Sequence, residues 1–352
     1  MAIGLLNGCS VEQPKFYNSG MEGSAGASNM WEIAKMYFRA ERAAPKPSAP
    51  IPMREIPAAE LAEPVSAAKV YRLGHSSVLI RLDGETVLTD PVFSERASPV
   101  QWMGPKRFHP LPFELTSLPR IAAVVISHDH YDHLDKGSIL ALDEKVERFL
   151  VPLKVGEHLR RWGIADDKIV ELDWWQSHAV GSLKFTATPA QHFSGRGLGD
   201  RDETLWAGWA IEGREGKIFF SGDSGYFDGF REIGKRLGPF DLTLIETGAY
   251  NALWSKIHML PEQSVQAHID LQGRAMVPIH NSTFDLALHD WFEPLERAAA
   301  AAWERNVRLI TPVIGAAVAI KHPQLAEYWW QDMEEAALVE AAAQSAEEGA
   351  LR

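Results

Sequence analysis

The chain has 352 residues, 46% of them hydrophobic and 23% charged, with a formal net charge of −12. That is enough to bury one large α/β core or two smaller ones, and the acidic balance argues against a nucleic-acid partner, which calls for a basic face. No run of 18 apolar residues marks a transmembrane helix, and the single cysteine, Cys9, excludes an internal disulfide and a thiolate metal cluster.

Leu5-Leu6-Asn7-Gly8-Cys9-Ser10 has the form of the end of a bacterial lipoprotein signal. It lacks a basic n-region, and its apolar run Ala2–Leu6 is too short for an h-region. A cytoplasmic or membrane-peripheral location is expected, with an exported form anchored through Cys9 as the alternative. Residues 10–30 are polar, Gly/Ser-rich and expected to be loosely held. Met30–Arg42 has helical spacing of apolar residues, which predicts a short amphipathic helix. Ala43–Pro64 carries six prolines and reads as an extended linker. The expected organisation is an N-terminal extension (1–65), a catalytic domain (66–323) and a C-terminal helix (324–352).

Within the domain, Val70–Leu73, Ser77–Leu82 and Thr86–Leu88 read as strands, with Asp83-Gly84 as a hairpin turn. Asp90 ends the third, either as a cap or as a carboxylate that orients a metal-bound histidine. Arg96–Pro112 is long and irregular, the form of a functional loop. Ile121–Ile126 is an apolar, β-branched-rich strand. Next come a helix over Lys136–Glu147, a strand over Phe149–Val151, a helix over Val155–Trp162 and a strand over Ile169–Glu171. Trp174-Trp175 is read as core. The remaining strands are Ser182–Thr188, Trp206–Ile211, Lys217–Phe220, Leu242–Ile245, Ala275–Ile279, Leu309–Thr311 and Ala316–Ile320. Helices are expected at Pro261–Leu271, Trp291–Trp303 and Leu325–Glu348. Strands alternating with helices across two halves of the chain imply a four-layer αββα sandwich, with helices covering both sheets.

The stretch that carries chemistry is Ser127-His128-Asp129-His130-Tyr131-Asp132-His133, which follows the strand Ile121–Ile126. Alternate positions of an extended loop point the same way, so His128 and His130 can grip one ion, while Asp132 and His133 turn to a second. Imidazole with carboxylate suits zinc, or manganese or iron, better than calcium or magnesium. His192, Asp223 and His280 also follow strand ends. Asp223, between Gly222 and Gly225, lies where the backbone can approach another group closely. Five histidines and two aspartates are enough for two metals with open positions.

This order of residues resembles the metallo-β-lactamase superfamily. The resemblance implies that His128, His130 and His192 hold one metal, that Asp132, His133 and His280 hold the other, and that Asp223 bridges them. An Asp at the bridge is similar to the phosphodiesterase and glyoxalase branches rather than to true β-lactamases, which carry Cys there. GHSSVLI (74–80), TDPVFSERASPVQWMGPKRF (89–108), ISHDHYDHLD (126–135), ELDWWQ (171–176), TPAQHFSGR (188–196), SGDSGY (221–226), ETGAY (246–250) and IHNSTF (279–284) resemble one family within it: N-acylphosphatidylethanolamine-hydrolysing phospholipase D and its bacterial relatives. The likeness spans about residues 70–320. It departs at the N-terminus and at Asn281-Ser282, where the animal enzyme has Trp-Gly, which bears on substrate choice.

The resemblance implies a dinuclear zinc hydrolase that cleaves a phosphodiester through a metal-bridging hydroxide, with Asp132, Asp223 and His258 as candidate catalytic residues. His258 is read as substrate-orienting or as a plain helix-flanking residue. The expected partners are a phospholipid or other phosphodiester substrate, a peripheral membrane contact and no nucleic acid, with a homodimer left open. The alternative function is a lactonase or small-phosphodiester hydrolase of the same fold. An RNA-processing nuclease is disfavoured by charge, and a metal-free binding module by the full donor set.

Overall fold

The computed structural model describes residues 15–18, 42–64, 67–197, 199–324 and 327–333. Cys9, the amphipathic segment at 30–41 and most of the C-terminal helix read at 325–348 lie outside them. Two mixed sheets face one another. The first is built from β1 (Lys69–Gly74), β2 (Ser77–Leu82), β3 (Glu85–Thr89), β4 (Ile121–Val125), β5 (Val146–Pro152), β6 (Ile169–Leu172) and β13 (Ala317–Ala319), in the order β13-β1-β2-β3-β4-β5-β6. The second is built from β7 (Ser177–Val180), β8 (Leu183–Thr188), β9 (Gly208–Glu212), β10 (Lys217–Phe220), β11 (Leu242–Glu246) and β12 (Met276–Ile279), in the order β12-β11-β10-β9-β8-β7.

The period of two along each strand explains the layering. In β2, Val78, Ile80 and Leu82 enter the core between the sheets, where they join Phe185, Trp209, Ile211, Phe220 and Val277 of the second sheet. Leu79 points the other way and packs with Ile139, Leu142 and Leu159 of the helices Lys136–Leu142 and Gly156–Arg161. Phe219 and Ile245 likewise leave the second sheet outwards. They meet Phe230, Ile233, Val265 and Leu295 of the helices Gly229–Leu237, Pro261–Asp270 and Glu293–Glu304. Strands buried on both faces read as continuous apolar runs because neither face meets water. The result is the expected four-layer αββα sandwich.

Several elements differ from the sequence reading. The helix starting at Lys136 ends at Leu142, and β5 begins at Val146, because Val146 pairs with Ile121 and is drawn into the sheet. Strand β7 and the helix Gly229–Leu237 were not expected. Leu309 makes only an isolated bridge to Met276 rather than a strand. Residues 43–64, read as an extended linker, lie against the domain. Ile51, Ile56 and Leu61 are buried, Met53 bridges Ile314, and Ala58–Ala62 forms a short helix. Prolines confine regular structure in this stretch to that short helix but leave its apolar side chains free to pack.

Strands β3, β4 and β5 run parallel, as do β10, β11 and β12. Their C-terminal ends therefore gather at one edge, as open α/β sheets place their sites.

Candidate metal centre

All seven predicted donors lie in loops that follow strand ends. His128, His130, Asp132 and His133 follow β4, Asp223 follows β10 and His280 follows β12; His192 comes four residues after β8. All seven meet in one cluster, with His130 and Asp132 half-buried and the other five buried. His128 Nε2 lies 2.8 Å from His130 Nδ1, and His192 Nε2 lies 3.3 Å from the same atom. On the other side, Asp132 Oδ2 is 3.4 Å from both His133 Nε2 and His280 Nε2. Asp223 stands between the two groups. Its Oδ2 is 3.1 Å from His133 Nε2 and 3.0 Å from His280 Nε2, and 4.0 Å and 3.8 Å from the Nε2 atoms of His128 and His192.

The backbone explains this convergence. Gly222 has φ 57°, and a Cβ there would sit 2.5 Å from the Cβ of Ser127, so only glycine lets the Asp223 loop close on the histidine loop. His280 has φ 62°, outside the usual range for a non-glycine residue, and turns its ring inward from the end of β12. Its N–H donates to the His75 carbonyl at 3.0 Å, while Arg72 donates to the carbonyl and side-chain oxygens of Asn281 at 2.6 and 2.8 Å. Asn281 thus anchors the donor beside it.

The cluster has the chemistry of a cation site. His133 Nε2 and His280 Nε2 face Asp223 Oδ2 at 3.1 and 3.0 Å, and among the described residues these two atoms, His280 Nδ1 and Asp223 Oδ1 are buried without a hydrogen-bond partner. Burial lowers His128 and His192 well below the ordinary imidazole value, which leaves them neutral as ligation requires. Burial opposes charge on His133 too, but Asp223 and Asp132 outweigh it and hold that ring well above its ordinary value. The same contest lifts His280 to about 10. Burial likewise opposes charge on Asp223, yet His133 and His280 keep it ionised. Buried carboxylates that demand positive charge from their neighbours are what a metal ion would satisfy in place of protons. The residues present therefore fit two ions: His128, His130 and His192 for one, Asp132, His133 and His280 for the other, with Asp223 shared.

Supporting groups surround the donors. Asp90, at the end of β3, lies 2.7 Å from His133 Nδ1 and accepts from the Ser127 N–H at 2.7 Å. It occupies the place expected of a ring-orienting carboxylate. The His192 Nδ1–H faces the Ile257 carbonyl at 2.9 Å, which directs Nε2 to the cluster. Asp129 faces away. Its carboxylate meets His158, Thr204 and the Gly195 N–H at 3.1, 3.0 and 2.8 Å, and ties the loops together. Asp135 caps the next helix by accepting from the N–H groups of Gly137 and Ser138.

Two site residues escaped the sequence reading. His75, at the turn after β1, is buried with Nε2 3.0 Å from Asp132 Oδ2 and its ring 4.0 Å from that of His280. Glu246, the last residue of β11, is fully buried, bonded to His258 Nδ1, and accepts from the Ser224 N–H at 2.8 Å. Both obey the strand-end rule that located the other donors, and that rule could have found them. His258 is more than a helix-flanking residue. A donor atom on it lies within 4.8 Å of donor atoms on His192 and Asp223.

A family model described as a β-lactamase superfamily domain matches residues 85–281, a span that includes all seven donors. The chain belongs to the β-lactamase superfamily. An uncharacterized protein of Mycobacterium tuberculosis is 47% identical over 312 residues, covering 86% of this chain and 80% of its own. N-acyl-phosphatidylethanolamine-hydrolyzing phospholipase D 1 of Caenorhabditis elegans is 38% identical over 239 residues, covering 64% of this chain and 67% of its own. Among solved structures, an isothiocyanate hydrolase from Delia radicum gut bacteria superposes with a TM-score of 0.57 at 22% identity, covering 71% of this chain and 98% of that one. That last likeness speaks to fold alone. Within the β-lactamase superfamily, the chain is a metal-dependent hydrolase of the metallo-β-lactamase fold.

Proposed function

We propose that this β-lactamase superfamily chain is a dinuclear, zinc-type phosphodiesterase that makes a phospholipase-D-type cut in N-acylphosphatidylethanolamine-like lipids. The observation that carries the reading is the 38% identity to the nematode phospholipase D over 239 residues. The aspartate that stands between the two donor groups supports it. A metal pair, when bound, supplies Lewis acidity towards a phosphoryl oxygen and acidifies water at neutral pH.

The remaining tasks fall to the chain's own residues. Asp223 Oδ2, close to the imidazoles of both groups, keeps the two halves of the site in register. Asp132 adds the second carboxylate, and His75 holds its Oδ2 at 3.0 Å. His258 is fixed at Nδ1 by Glu246, so its other ring nitrogen is the group placed to orient the substrate and to return a proton to the departing alcohol oxygen. In the overall reaction, water cleaves the bond between phosphorus and the ethanolamine oxygen. The water oxygen stays on phosphorus, giving phosphatidic acid, and N-acylethanolamine leaves as the alcohol.

Peripheral membrane contact belongs to the same proposal. Trp102 and Met103 are 76% and 58% exposed in the irregular segment between β3 and β4, with Lys106 nearby. Apolar side chains beside a cation suit a lipid surface. The net charge of −12 weighs against attraction to anionic bilayers.

The test is incubation of the protein with N-acylphosphatidylethanolamine vesicles and, in parallel, with bis(p-nitrophenyl) phosphate and lactones, with and without chelator. Metal-dependent release of N-acylethanolamine is expected. Turnover of soluble diesters or lactones, with none of the lipid under any detergent condition, would transfer the assignment to a small-phosphodiester hydrolase or lactonase.

A further inference from the structure

The backbone of His192 has no strand neighbour to satisfy it. Strand β8 ends at Thr188, and His192 lies in the loop beyond, almost fully buried. A buried N–H and C=O must nonetheless find partners. Both come from one side chain, 174 positions away in sequence. Asn18 Nδ2 donates to the His192 carbonyl at 2.8 Å, and Asn18 Oδ1 accepts from the His192 N–H at 3.0 Å. Oδ1 also accepts from Trp206 Nε1 at 3.0 Å, and that indole donates in addition to the Ala190 carbonyl at 2.9 Å. The segment is pinned a second time where the Phe16 N–H donates to the Asp202 carbonyl at 2.8 Å.

We propose that Asn18 is a positioning residue for His192, so that the segment 15–18 is a working part of the site rather than a loose leader. The primary amide mimics a neighbouring strand, offering one donor and one acceptor to the two backbone groups of a single residue. Together with the Ile257 carbonyl on the ring, it holds His192 at three points. Among the described residues, the hydrogen bonds of Asn18 go to the His192 backbone and the Trp206 indole and to none of the donor atoms. Its effect therefore reaches the site only through His192, on the side of the cluster shared with His128 and His130. The sequence reading, which placed residues 10–30 in a loosely held stretch, had no signal for this. The inference rests on the reading of His192 as a metal ligand.

The test uses the full-length chain stripped with chelator and titrated with Zn²⁺ alone. Asn18→Ala should weaken one of two sites about 10- to 100-fold, the scale expected when a ligand loses its support. Asn18→Asp keeps the acceptor and loses the donor, and should recover part of that loss. The decisive readout is coupling. Asn18→Ala should add nothing in a His192→Ala background, yet still weaken the site that remains in a His280→Ala background. Equal losses in both backgrounds, or unchanged zinc affinity in Asn18→Ala, would overturn the inference. Wild-type zinc affinity in His192→Ala would instead remove the ligand reading, and the inference with it.

Discussion

Asp90 Oδ2 lies 2.7 Å from His133 Nδ1, while the other nitrogen of that ring, 3.1 Å from Asp223, points into the metal cluster. A carboxylate at the end of one strand thereby fixes both the orientation and the tautomer of a donor delivered by the next. Asp90→Asn keeps the shape and changes the hydrogen-bond chemistry. It should weaken one of two zinc ions about 10- to 100-fold, and zinc titration against the wild type checks this. Unaltered affinity would mean that Asp90 only caps its strand.

Protein purified without chelator should contain two transition-metal ions per chain by elemental analysis, and lose activity when they are removed. Asp223→Ala takes away the oxygen that both donor groups share. Turnover should fall by orders of magnitude, with the far-UV spectrum unchanged. Near-wild-type turnover in this variant would reduce Asp223 to a turn residue.

The metal-free chain should respond to pH in a defined direction. Burial opposes charge on His280, but Asp223 and Asp132 lift it to about 10. A raised imidazole contributes stability in full below its unfolded value, about 6.5, and that contribution is lost as pH rises through the folded value. Asp132 and Asp223 are depressed by His133 and His280 against the cost of burial, so their contribution is lost in acid instead. In chelator, the melting temperature should therefore decline from about pH 6.5 towards about pH 10. With zinc the alkaline decline should shrink, because the ion replaces these protons and binds better as they leave. Parallel melting curves with and without zinc would contradict this account.

Gly248→Ala should disturb the site from behind. A Cβ at this position would sit 2.1 Å from the His280 carbonyl oxygen, so backbone rather than the end of a flexible side chain would have to shift. A loss of about 1–3 kcal/mol is expected, the range for overpacking a filled interior, accompanied by weaker zinc binding as His280 is displaced. Urea unfolding in chelator and zinc titration separate the two effects. A stable variant with unchanged zinc affinity would show that the His280 turn moves freely.

The sequence by itself determined which side chains could do chemistry and which elements carry most of them. His128, His130, Asp132 and His133 stand within one short loop, after a strand whose unbroken apolar run records burial on both faces. His192, Asp223 and His280 each follow a strand, and that local rule needs no knowledge of the partner strand. Turn residues such as Asp83-Gly84 and caps such as Asp135 are equally local. Only the tertiary structure decided what depends on distant segments meeting. The Asp223 oxygen sits between imidazoles from three other loops because parallel strands bring their ends to one edge. His75 and Glu246 also stand at strand ends, which made them candidates, but only the meeting of those ends places them beside Asp132 and His258. Proline content described residues 43–64 as extended, but could not show that Ile51, Ile56 and Leu61 find apolar surface to cover. Asn18 is the extreme case: the two hydrogen bonds it shares with His192 across 174 positions leave no periodicity, spacing or composition to read, because at His192 both end on backbone atoms.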